Sequence, residues 1–449
     1  MNKNLLYSLI FLSVISCKNE THQVDKDQDL NQLATEYVRL ALFIGQYDES
    51  FVDAYYGPDS LRPKAIHSVQ EESGETGKQV FPKDSLLAAV ELLQLKLMLY
   101  TSDETADSVK NRAGWILDQL TAFSRRIKIF AGDYSTFDKE SKDLFGVWAP
   151  IYDEQHYKDL VNQLDKLLPG TGNIPDRFQS LANRFIIPKT KLDTVFKASI
   201  AECRKRTKQH YALPENESFT LEYVSDKPWN GYNWYKGNYK SVIQINTDLQ
   251  IFIDRAIDVG SHESYPGHHV YNMLLEKNLY HDKGLIEISM YPLFSPQSLI
   301  AEGTANYGID VAFPGNDKTV FAREVLLPLA GLDTSSISIY FKALAIKGQL
   351  NYARNEAARG LVDSTMTESE ALRWLKEYAL FNDETAAKSV KFIMVNRSYV
   401  INYNYGQDLA RAYVESRIRT NPTSENRWKV FGELLSKEVR IGDLMKQPK

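Results

Sequence analysis

The sequence predicts a mainly α-helical protein with one small β-sheet inserted near residues 215–250. Three observations carry that reading. Apolar residues recur at helical steps along most of the chain from about residue 31 onward. Period-two alternation is confined to two short runs, 218–224 and 241–246. The composition, 43% hydrophobic and 25% charged over 449 residues, supplies enough apolar material for a large core.

The chain opens with Lys3 and a short apolar run through Leu5, Leu6, Leu9, Ile10, Phe11 and Leu12. That run falls short of the ~18 residues that suggest a membrane span. Val14-Ile15-Ser16-Cys17 then resembles the lipobox of bacterial lipoproteins, with a small residue before the cysteine. Residues 1–17 are therefore expected to be a lipoprotein signal peptide with a lipidated Cys17. Residues 18–30 are polar and aperiodic and read as a flexible tether. The expected location is extracytoplasmic, anchored by lipid to a bacterial membrane, with the outer membrane preferred. Cys203 is the only other cysteine, which excludes a disulfide framework. A net charge of −5 gives no global basic footprint for nucleic acid.

From 31 to 449 a single helical domain is expected, with an N-terminal lobe to about 214 and a catalytic lobe beyond it. Leu33, Tyr37, Leu40 and Ile44 share one helical face. A loop with Tyr55, Tyr56, Gly57 and Pro58 follows. Further amphipathic helices are predicted at 84–99, 104–132, 154–168, 176–185 and 190–210. The run 218–224 reads as a strand, 229–237 as an aromatic Gly/Asn-rich connection, and 241–246 as a second strand. Helical patterns resume at about 250 and continue nearly to the end.

The sheet precedes His262-Glu263-Ser264-Tyr265-Pro266-Gly267-His268-His269. This resembles the His-Glu-x-x-His zinc helix with extra residues inserted. Two histidines four apart lie roughly 40° apart around a helix and can share one metal. Here the second histidine comes six or seven residues later. Six puts it at roughly 240°, and seven restores the face but at a rise of roughly 10.5 Å. A regular helix fails in both cases, because zinc–nitrogen bonds are only ~2.0–2.1 Å. Pro266, with no N–H to donate, and Gly267, with its conformational freedom, predict a break that brings the histidines together. His268 is preferred as the second ligand because fewer inserted residues must be absorbed, and His269 stays open as the alternative.

A catalytic zinc keeps three protein ligands and one open position. No histidine follows His281, which sits in a polar stretch that reads as a loop. A carboxylate is the better third ligand. Ser295-Pro296 is a strong helix start, and Leu299, Glu302, Ala305, Asn306 and Ile309 line up on the helix that follows. A Glu among apolar residues is costly to bury without a partner, and a metal removes that cost. His262, His268 and Glu302 would then hold one zinc per chain.

Together with Glu302-Gly303-Thr304-Ala305-Asn306-Tyr307, the histidine motif is similar to a bacterial family catalogued as domain of unknown function number 885, grouped with the Glu-type zinc metallopeptidases. The similarity is strongest from about 240 to 310. It implies a helical metallopeptidase-like body with the small sheet beside the zinc helices, and hydrolysis of a peptide or amide. It carries Glu263 over as general base. Val270-Tyr271, Thr304 and Asn306 depart from the residues common in that family, which bears on substrate preference.

The tetrahedral oxyanion of such a reaction needs a further donor. The segment 397–406 is dense in candidates. Tyr403 is favoured as the catalytic donor, with Tyr399, Tyr405 and Arg397 as substrate-binding groups and Arg397 as a carboxylate clamp. Asp258, four residues before His262, is a candidate to orient it. Trp229 and Trp234 could wall a cleft. The expected partners are a peptide or small amide substrate and the membrane reached through the lipid, without nucleic acid. The competing readings are a lipid-anchored peptide- or solute-binding protein without turnover, and a zinc hydrolase of other amides or esters. Retention of Glu263 favours an enzyme, since pure binding needs no base.

Overall fold

The computed structural model describes residues 17–64, 80–103, 105–227 and 229–446. The signal segment expected at 1–16 lies outside the described residues. Ten helices in chain order build most of the frame: α1 (Cys17–Ile44), α2 (Lys83–Met98), α3 (Asp107–Phe130), α4 (Phe137–Phe145), α5 (Glu154–Leu167), α6 (Ile174–Ala182), α7 (Leu192–Lys208), α8 (Ile253–Glu263), α9 (His268–Leu275) and α10 (Pro296–Ala312). Helices Ala353–Val362, Asp383–Asn396, Ile401–Ile418 and Ser424–Ser436 pack around them on the C-terminal side. The chain is mainly α, as predicted. Among the described residues no helix is long and apolar enough to cross a membrane.

The predicted helices fall where the apolar periodicity placed them. Residues 18–30 differ: they are helical within α1, not a tether. The stretch contains no Gly or Pro and several straight-chain residues, so nothing in it stops the helix from extending toward its N-terminus. His281 also differs, since Glu276–His281 forms a π-helical turn at the end of α9.

Among the described residues there are five strands. β2 (Ser218–Val224), β3 (Gly231–Gly237) and β4 (Lys240–Asn246) form a sheet in the order β2-β4-β3. β2 runs parallel to β4, with Ser218 opposite Lys240, and β3 runs antiparallel to it, with Tyr232 opposite Gln244. The strands at 218–224 and 240–246 were legible as alternation. β3 was read as a connection because its glycines and asparagines masked an alternating burial of Asn233, Tyr235 and Gly237. β1 (Val52–Tyr55) pairs antiparallel with β5 (Met290–Pro292). Neither is long enough to show a period, and Tyr55 ends a strand where a loop was expected.

The relation of α10 to Ile401–Ile418 sets up the site. The two helices touch at Gly303 and Gly406, where an added Cβ on Gly303 would lie 2.3 Å from the Gly406 carbonyl oxygen. Backbone-to-backbone contact of this kind needs residues without side chains. It brings Tyr399 and Tyr403 against Glu302.

Candidate metal centre

The break between α8 and α9 forms as the Pro-Gly pair predicted. α8 ends at Glu263, residues 264–267 are non-helical, and α9 restarts at His268. Pro266 follows a cis peptide bond. The backbone of Gly267 folds so close to α8 that a Cβ there would lie 1.9 Å from the His262 carbonyl oxygen. Only glycine fits. Around this turn Ser261 Oγ donates to the carbonyl of Tyr265 at 3.0 Å, and the Gly267 N–H donates to the carbonyl of Ser261.

The result is convergence of three side chains. Nε2 of His262 lies 3.1 Å from Nε2 of His268. Glu302 Oε2 lies 3.3 Å from the first nitrogen, and Glu302 Oε1 lies 3.9 Å from the second. The Glu263 carboxylate is also near: His262, Glu263 and His268 offer ligand atoms all within 4.8 Å of one another. The imidazoles are each 14% exposed, so the cluster is largely shielded from bulk water.

Hydrogen bonds fix which lone pairs point inward. Asn306 donates through Nδ2 to the Tyr403 carbonyl at 3.0 Å, which leaves its Oδ1 facing His262 Nδ1 at 3.1 Å. Nδ1 must then carry a proton, and Nε2 is the ring nitrogen directed at His268 and Glu302, where a metal would take the place of any proton it holds. Glu302 Oε1 accepts from Tyr399 at 3.1 Å, while buried Oε2 has no hydrogen-bond donor. An orphaned buried carboxylate oxygen beside two imidazole nitrogens fits a divalent cation of the zinc type.

Charge balance points the same way. Asp53 on β1 hydrogen-bonds the Tyr232 hydroxyl on β3, yet burial and the nearby Glu302 carboxylate push its pKa up to about 6. Burial lifts Glu263 to about 7; the charge of His262 opposes this, while Glu302 and Asp53 add to it. Burial works against a charged His262, but Glu302 and Glu263 outweigh it and hold that ring at about 9. Burial, with His262 beside it, depresses His268 to about 4. Two buried carboxylates, Glu263 and Glu302, and the half-buried Asp53 around two imidazoles leave excess negative charge that a cation would offset.

The other sequence candidates separate. His269 is turned away by one helical step. Its Nδ1 meets Ser241 Oγ at 2.8 Å and its Nε2 meets Glu217 at 3.2 Å, so the alternative ligand is excluded by geometry. Asp258 does not orient His262; it acts electrostatically on Asp254 and Lys318, and Asn306 takes the expected role. Arg397 is held by Glu140 at 2.7 and 2.9 Å and stacks on Tyr134, so it is not a free clamp. Tyr399 binds Glu302 and accepts from Ser298 and is buried, which makes it a support for Glu302 and not a substrate contact. Tyr405 lies on the other side of its helix, near Tyr152 and Asp408. Tyr403 does join the site: Glu302, Glu263 and Asp53 all act on its phenol, whose pKa is raised by burial first and by these carboxylates next. Trp234 is partly exposed and bonds Gln244, and Trp229 packs near Tyr232.

Asp53 and Tyr232 escape the sequence reading, and so does the role of Asn306 toward His262. Asn306 had a signal, since it lies one helical turn from Glu302 on the same face. Asp53 had none, because only β1–β5 pairing brings it in from about two hundred residues upstream.

No family model and no curated protein matches the chain, so the resemblance to family number 885 rests on its motifs. Solved structures do match. A protein of Colwellia psychrerythraea, described as a candidate lipoprotein, is similar over 78% of this chain at 13% identity, with a TM-score of 0.52. This chain spans 63% of that protein's length. An M32 carboxypeptidase of Deinococcus radiodurans is similar over 94% of both chains at 9% identity, with a TM-score of 0.46. Metallocarboxypeptidase 1 of Trypanosoma cruzi is similar over 95% of both chains at 11% identity, with a TM-score of 0.41. The Colwellia protein and this chain share a helical fold.

Proposed function

We propose that the chain is a zinc-dependent hydrolase of peptide or amide bonds, anchored to a bacterial membrane through Cys17, with the outer membrane the expected location. One observation carries the hydrolase: His262, His268 and the orphaned Oε2 of Glu302 converge while Glu263, which accepts no side-chain ligand role in the sequence motif, stands beside them. The anchor rests on the lipobox-like sequence, and the description of the Colwellia protein agrees with it.

A bound zinc would supply a Lewis acid that makes water nucleophilic near neutral pH and polarises the scissile carbonyl. The chain does the rest. Glu263 takes a proton from the attacking water and delivers it to the departing nitrogen. One water is consumed: its oxygen joins the acyl carbon, the C–N bond breaks, and acid and amine leave. The Tyr403 hydroxyl donates to the oxygen on which negative charge develops. Asn306 holds His262 in one tautomer, and Tyr399 holds Glu302.

Metal content of the purified chain tests the reading. About one zinc per chain, lost in Glu302→Ala, is the expected result. A folded chain that binds no divalent metal would refute it and favour a binding protein.

A further inference from the structure

Arg354, on the helix Ala353–Val362, has no anionic partner among the described residues. Its Nε is buried without a hydrogen bond. Other deeply seated arginines are paired: Arg112 with Glu287, Arg126 with Asp48, Arg359 with Glu356 and Arg397 with Glu140. An arginine is costly to bury unless an anion faces it, and it stays charged at every physiological pH.

Its place is continuous with the candidate metal centre. The guanidinium lies over the Phe392 ring, with Cζ 4.6 Å from the centroid. Phe392 lies 6.5 Å from Tyr403, and Tyr403 lies 5.8 Å from Tyr399, whose hydroxyl binds Glu302. The charges of Arg354, Glu302, Glu263 and Asp53 all act on the Tyr403 phenol, which places the guanidinium and the three carboxylates around one ring. A guanidinium stacked on a ring keeps its donor edge free for two parallel hydrogen bonds, the geometry a carboxylate matches.

We propose that Arg354 binds the free carboxylate at the end of the substrate, so that the site cleaves the bond to a C-terminal residue. This rests on the hydrolase reading above. The substrate class is then a short peptide or an N-acyl amino acid with a free carboxyl group, and a blocked end is disfavoured. The sequence pointed to Arg397 for this task, but Glu140 already neutralises it.

The test separates binding from turnover. Calorimetry measures N-acetyl-Phe-Phe as free acid and as carboxamide against the full-length, zinc-loaded chain carrying Glu263→Gln, which does not consume the probe. The free acid should bind at least about tenfold more tightly than the carboxamide, a charge-assisted bidentate pair being among the stronger contacts. Adding Arg354→Met should abolish that preference and leave carboxamide binding unchanged. Arg354→Lys, which keeps a cation at the same position, should retain part of it. Equal affinity for both probes, or a preference that survives Arg354→Met, overturns the assignment. Turnover is measured separately with Glu263 intact. Absence of cleavage there, with the acid preference present in the binding assay, counts against the hydrolase and not against Arg354.

Discussion

The side-chain oxygen of Asn306 sits 3.1 Å from Nδ1 of His262, and the other end of the same amide is tied to the Tyr403 backbone. A group that fixes the tautomer of a ligating imidazole raises metal affinity by about 10–100-fold. Asn306→Leu should therefore weaken zinc binding by about that factor while leaving the unfolding midpoint within a few degrees. Competition against a chromophoric chelator measures it. Unchanged affinity would mean that His262 is oriented by packing alone.

Glu263 is the group whose charge state governs turnover. As a base it must be deprotonated, and burial lifts its pKa to about 7 in the metal-free site. Activity should rise with pH along an acid limb, at or below pH 7 because a bound dication favours the carboxylate. Glu263→Gln should cut kcat by about 10²–10⁴ and remove that limb. Zinc content should stay near that of the parent. A Gln variant that keeps the acid limb would assign it to another group.

A second polar cluster stands behind the turn that carries His268. Glu217 is buried and accepts from the Tyr265 hydroxyl at 2.5 Å, from His269 at 3.2 Å and from Arg204 Nε at 2.8 Å. Burial alone would raise its pKa, but His269, Tyr265 and Arg204 outweigh this and hold it at about 2, against 4.5 for an ordinary Glu. The folded pKa is depressed, so this stabilisation is full above pH 4.5 and is lost as pH falls toward 2. Glu217→Gln should be less stable at pH 7 and show a flatter decline of stability between pH 5 and 3. Parallel pH curves from denaturant melts of the two proteins would show that Glu217 is not the linked group.

The helices and the meeting of His262 with His268 were legible because both follow from geometry along one stretch of chain. Leu33-Tyr37-Leu40-Ile44 shows its period in the sequence, and Pro266-Gly267 after His262 marks a break, with His268 preferred and His269 left open until the structure turned His269 toward Ser241 and Glu217. Glu302 was legible because its helix start and its apolar face are local patterns. Arg397 misled because density of polar groups says nothing of which neighbour claims each one; Glu140, more than two hundred and fifty residues upstream, does so. Asp53 and Arg354 are single polar residues in unremarkable contexts. Only the β1–β5 pairing and the contact of Ala353–Val362 with the tyrosine segment give them a role. β3 hid for a different reason, since glycine and asparagine weaken the strand signal where the strand passes Glu263: a Cβ on Gly231 would lie 3.1 Å from the Glu263 carboxylate, and the Asn233 side-chain amide donates to the Glu263 carbonyl at 2.6 Å.

Tyr403 and Tyr399 differ in a way that makes them separable. The Tyr399 hydroxyl is committed to Glu302 and Ser298, so Tyr399→Phe removes a support of the third ligand. Its expected effect is on zinc affinity. The Tyr403 hydroxyl has no hydrogen-bond partner among the described residues, and burial, with the nearby carboxylates adding to it, keeps it protonated. Tyr403→Phe removes no ground-state bond, so stability and zinc content should match the parent. If the phenol donates only to the developing oxyanion, kcat should fall by about 10²–10³ with little change in KM. Steady-state kinetics on both variants, beside zinc analysis, distinguish the two roles. A Tyr403→Phe variant with parental kcat would assign the oxyanion donor elsewhere, and a KM effect without a kcat effect would make Tyr403 a binding group.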